Sequence, residues 1–82
     1  MILSEIDHDN LYDEFKLTRD NIFLKLNNKL ITKQEALSEA NNLKVNFETQ
    51  INLAGLTLHE KPMFISLVSA VKLLIYDIAK NY

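Results

Sequence analysis

The sequence predicts an all-α fold, an antiparallel three-helix bundle with its helices running up, down and up. Three observations point there. Apolar residues recur at three- and four-residue spacing in three separate stretches, the period of one helix face. A single Gly and a single Pro interrupt 82 positions, too few for a turn-rich β fold. Helix start and stop signals fall between the stretches rather than inside them.

The first helix is expected over about residues 7–28, where Tyr12, Phe15, Ile22, Phe23, Leu26 and Leu30 line one face. Ser4, Asp7 or Asp9 offers a capping oxygen, and acids in the first turn suit the positive end of the helix dipole. The second is announced by Thr32-Lys33-Gln34-Glu35. This is a capping box: the threonine oxygen accepts a backbone N–H, while the glutamate accepts the threonine's own. Ala36, Ala40, Leu43, Phe47, Ile51 and Ala54 then form a narrow stripe over residues 33–54, and Gly55 stands where a left-handed residue ends a helix.

Thr57-Leu58-His59-Glu60 has the pattern of another capping box, but it would put Pro62 inside a helix and leave a carbonyl unpaired. A turn over 57–60 with Pro62 at the first helical position removes the conflict. The third helix then covers about 62–80. Phe64, Leu67, Val68, Val71, Leu74, Ile75 and Ile78 spread over a wide arc, which makes it the most buried of the three. Helices of this length extend roughly 30 Å, and short connections between them force antiparallel neighbours. An open arrangement that completes its core by dimerising has the same local structure.

Residues 1–82 form one domain at this length. With 48% apolar residues the chain has material for one core. It has no cysteine, so neither disulfides nor thiolate-bound metal hold it together. A small domain without staples is expected in the cytoplasm. Residues 1–9 carry carboxylates and no basic segment, unlike a secretory leader. The most apolar stretch, Met63 to Ala79, is broken by Ser66, Ser69, Lys72 and Asp77, and it reads as a core helix of a soluble protein rather than a membrane span.

The net charge of −2 hides an asymmetry. Residues 1–20 hold six acids, Glu5, Asp7, Asp9, Asp13, Glu14 and Asp20, against Lys16 and Arg19. No basic footprint for nucleic acid accompanies them. The Ile51 to Leu67 stretch has a faint helix-turn-helix outline, but its second helix lacks arginine and offers little to read a base or grip a phosphate. A small dimeric DNA-associated regulator, touching DNA through Lys25, Lys29, Lys33 and Lys44, is the alternative function.

No motif announces catalysis, and no cofactor or metal is expected. Asp7, His8, Asp9 and Asp13 have metal-binding chemistry but neither the glycine and distal glutamate of a calcium loop nor the helical pairing of a zinc site. His59 beside Glu60 lacks a placed nucleophile. Gly55 alone makes no phosphate-binding loop.

Apolar residues that the helical wheel puts away from the core are more informative. Leu17, Leu24 and Ile31 repeat every seven residues opposite Phe15 and Ile22, and Ile65, Leu73 and Tyr76 fall near the polar margin of the third helix. Such patches mark contact surfaces, for a partner or a second copy. The acidic start, with Asp13 and Glu14, would steer a basic partner. The expected function is therefore non-catalytic: a protein-binding module of adaptor, inhibitor or immunity type. In size and helical content the chain is similar to bacteriocin immunity proteins and small phage-encoded inhibitors, a likeness of architecture that no residue motif carries.

Overall fold

The computed structural model describes residues 8–54 and 61–82. They form three helices and no strand: α1 (His8–Asn27), α2 (Lys33–Ala54) and α3 (Lys61–Asn81). The start of α2 and the end of α2 stand where the capping box and the apolar stripe put them. Pro62 lies one position inside α3, still in the first turn, where no intrahelical bond needs its missing N–H. The Gly55 stop, the turn over 57–60, the His59–Glu60 pair and the first capping candidates lie outside the described residues.

Each helix buries one stripe in a shared core. It comprises Leu11, Phe15, Ile22 and Leu26 from α1, Ala36, Ala40, Leu43, Phe47 and Ala54 from α2, and Phe64, Leu67, Val68, Val71, Leu74 and Ile78 from α3. Phe47, Ile22, Ile78 and Val71 are fully enclosed, and no polar or charged residue is buried among the described residues. Ala36 and Ala40, both without exposed surface, let a neighbour approach α2 closely. The Phe47 ring then fills the middle of that helix's inner face. Helix α3 packs more closely against α2 than against α1, and the α1–α3 seam is the loosest of the three.

Two positions expected in the α1 stripe lie elsewhere. Tyr12 is exposed, and Leu11 takes the core position. The buried set Leu11, Phe15, Ile22 and Leu26 centres the stripe between those residues, and Tyr12 is carried about 100° round from Leu11, toward the α1–α3 side. Leu30 is 69% exposed because the helix stops at Asn27. Phe23, Ile51 and Ile75 pack half-buried at the core's edge.

The stop itself is a Schellman turn. Leu30 N–H donates to Lys25 O at 2.8 Å and Lys29 N–H to Leu26 O at 3.1 Å, the six-to-one and five-to-two bonds of that motif. Lys29 is left-handed with φ 58°, a conformation in which glycine escapes a steric cost that a side chain incurs. The capping box follows at once. Glu35 N–H donates to Thr32 Oγ1 at 3.1 Å and Thr32 N–H donates to Glu35 Oε1 at 3.0 Å. Lys25 then ties α1 to α2, its Nζ 2.9 Å and 3.1 Å from the two carboxylate oxygens of Glu39.

At one end of the fold His8 meets the Phe64 ring edge-on at 5.6 Å. At the other, Phe23 lies 6.1 Å from the Tyr82 ring, and Tyr82 Oη donates to Asn27 Oδ1 at 2.9 Å. The whole is a rod of 45 × 20 × 16 Å, so each helix keeps a long flank in contact with solvent.

Two expectations follow for the α1–α2 turn. Lys29→Gly relieves the left-handed side chain and should stabilise the fold by about 1 kcal/mol, raising the thermal midpoint by roughly 4–8 °C in a domain this size. Thr32→Ala removes a cap and should cost about 1 kcal/mol, read as a lower urea midpoint at unchanged slope.

Candidate functional site

With the core apolar throughout, chemistry and recognition fall to the surface, and α1 sets most of it. Leu17 and Leu24 stand two positions beyond Phe15 and Ile22, which turns them about 200° from those buried residues. They are 69% and 58% exposed. Asp13 and Asp20 interleave with them on the same flank by helical spacing, and both are exposed. Each acid already has a neighbouring cation: Asp13 Oδ1 is 3.4 Å from Lys16 Nζ, and Asp20 Oδ1 is 3.1 Å from Arg19 Nε. Glu14, also exposed, is turned about 100° from Asp13 and stands three positions before Leu17, its neighbour on the helix surface.

Ile31 does not belong to this surface. It is half-buried and packs on the core. The seven-residue repeat assumed a helix continuing through 31, whereas the Schellman turn redirects the chain after Asn27 so that Leu30 faces out and Ile31 tucks in.

The three candidates on α3 are separated as well. Ile65 lines a shallow cleft of about 250 Å³ between α2 and α3, with Glu48, Ile51, Asn52, Val68, Ser69 and Lys72. Leu73 lines a second cleft of about 260 Å³ between α1 and α3, with Phe15, Arg19, Phe23, Ala70, Leu74 and Asp77. Tyr76 borders neither and is covered on one side by Lys80, whose Nζ sits 5.8 Å from the ring centre. Both clefts are open furrows below the roughly 300–1,000 Å³ of pockets that enclose a small molecule.

The α1–α3 cleft is the more apolar surface. Sequence reasoning placed only Leu73 there. Arg19 is held at its rim by a cation–π contact, with the guanidinium carbon 5.5 Å from the Phe15 ring centre. Lys16 is held in the same way over Tyr12 at 4.8 Å. Asp77 stands on the opposite rim, exposed and with no ion-pair partner among the described residues. The signal for this face was present as a second, weaker stripe in α3: Ser66, Ala70, Leu73 and Asp77 recur at spacings of four, three and four.

Other sequence features have structural partners. His8 stacks on Tyr12 at 6.2 Å and meets Phe64, and its Nδ1 is 3.6 Å from Asp9 Oδ1. Among the described residues it joins no group of three or more metal-ligating side chains. Lys25, one of the four lysines of the DNA-contacting alternative, is engaged by Glu39. Helix α3 is long and apolar enough to cross a membrane by length and composition, with a mean hydropathy of 1.6 over 18 residues, a third of them buried. Its exposed remainder includes Ile65, Leu73 and Tyr76.

If Leu17 and Leu24 serve contact rather than folding, Leu17→Gln/Leu24→Gln should leave stability within about 0.5 kcal/mol of the parent by urea unfolding, since glutamine matches leucine closely in helix propensity.

No known protein family, curated protein or solved structure matches this chain.

Proposed function

We propose that this chain is a small non-catalytic protein-binding module, of adaptor, inhibitor or immunity type, that docks a basic partner on the outer flank of α1. One observation carries the reading: Leu17 and Leu24 are largely exposed on a flank that the core does not use, with Asp13 and Asp20 between and beside them. Two leucines two helical turns apart are spaced as anchors for an apolar strip on a partner. The interleaved carboxylates would draw a basic surface toward them and fix its orientation.

The same reading takes the bundle as up-down-up. Support comes from the paired ends: His8 with Phe64, and Phe23 and Asn27 with Tyr82. Such contacts favour α1 and α3 running in the same direction, with α2 returning antiparallel to both. In that arrangement the outer flank of α1 is a straight, rigid ledge. Anchors on a rigid helix lose little conformational freedom when a partner covers them.

The test compares proteins captured on immobilised wild type, Leu17→Gln/Leu24→Gln and Asp13→Asn/Asp20→Asn. The leucine variant should lose its specific partner by tenfold or more, on the order of the 1–2 kcal/mol that a buried anchor contributes. The asparagine variant should bind more slowly at low salt and converge with wild type as salt rises. A partner retained equally by the wild type and both variants places the contact elsewhere and ends this reading.

A further inference from the structure

We propose that the α1–α3 cleft, which adjoins the outer flank of α1 at the Arg19–Asp20 pair, is the seam of a parallel homodimer in which α1 of each copy lies over α3 of the other.

The cleft has a basic rim on α1 and an acidic rim on α3. Arg19 and Asp77 line it together, yet Arg19 pairs with its neighbour Asp20 and Asp77 has no ion-pair partner among the described residues. A closed dimer must satisfy its own interface twice, because a two-fold axis applies every contact in both directions. With the axis running along the helices, between α1 and α3, α1 of one copy is carried over α3 of the other without change of height. Arg19 then meets the second copy's Asp77, and Asp77 meets its Arg19. An axis across the helices would instead lay α1 on α1 and bring like charges together, which is unfavourable.

The apolar part follows the same symmetry. Leu73 is 64% exposed at the level of Phe15, Arg19 and Phe23 on α1. The rotation delivers it onto that stretch of the other copy's α1, while half-buried Ala70 leaves room beside it. This is the relation of a knob to its hole in adjoining helices. Area is sufficient: helices of 20 and 21 residues side by side present roughly 600 Å² in projection. That is comparable with the ~800 Å² of accessible surface a standard interface takes from each partner.

Sedimentation of the wild type and of two charge reversals tests the seam. The wild type should be dimeric. Arg19→Asp puts carboxylates on both rims and Asp77→Arg puts cations on both, so each should be monomeric, with association weakened at least about tenfold. Mixed in equal amounts, the two variants should form a heterodimer, because each reversed rim then meets its opposite on the other chain. Leu17→Gln/Leu24→Gln should remain dimeric, which separates this seam from the outer flank of α1. If either reversal lost its helical spectrum, Leu73→Gln, at an exposed position, would replace it with the same expected loss of dimer. A wild type monomeric up to about 0.5 mM, where micromolar association would be saturated, overturns the proposal. So do single reversals that stay dimeric, or a mixture that stays monomeric.

Discussion

A dry core shared by three helices holds the molecule together, with Phe47, Ile22, Val71 and Ile78 completely enclosed and no polar side chain among them. Nothing directional fixes the helices inside that core; shape does. Large rings and branched residues must be matched by small ones, and Ala36 and Ala40 provide the small surface on α2. The narrow stripes of α1 and α2 are insufficient alone. Helix α3, with the widest apolar arc, supplies the surface that both of them cover.

That division leaves α3 with more apolar surface than two neighbours can hide. Ile65, Leu73 and Tyr76 remain out, and the loose α1–α3 seam leaves a furrow with phenylalanines at its base. A rod of this size has little interior relative to its surface, so its flanks are where recognition can be built. The outer flank of α1 and the α1–α3 cleft differ in chemistry. One interleaves leucine with carboxylate and is the proposed dock for a basic partner, whereas the other carries opposite charges on its two rims and is the proposed seam with a second copy.

The turn between α1 and α2 links this packing to local chemistry. A Schellman stop and a capping box are set back to back over residues 25–35, so the chain reverses within a few residues with each helix end satisfied by its own neighbours. Lys29 occupies the left-handed position where glycine would be easier. The Lys25–Glu39 pair crosses the turn just above it. A half-exposed pair of this kind adds little to stability.

Three helices, the start of α2 at its capping box, and the inward stripes of α2 and α3 are legible along the chain. Helical period and capping depend on residues within four positions of each other, so they can be read along the chain. The centre of the α1 stripe was less legible, because Leu11 and Tyr12 are adjacent and only the positions of α2 and α3 decide which of the two is covered. The same holds for Leu30 and Ile31, whose roles exchange at a turn made without glycine. For the surfaces, periodicity sufficed to place Leu17 and Leu24 outside. It could not show that Leu73 joins Phe15, Arg19, Phe23 and Asp77, since that grouping exists only once α1 and α3 lie side by side. A cleft is defined by two helices distant in sequence, and nothing in the spacing along either one records the neighbour it will face.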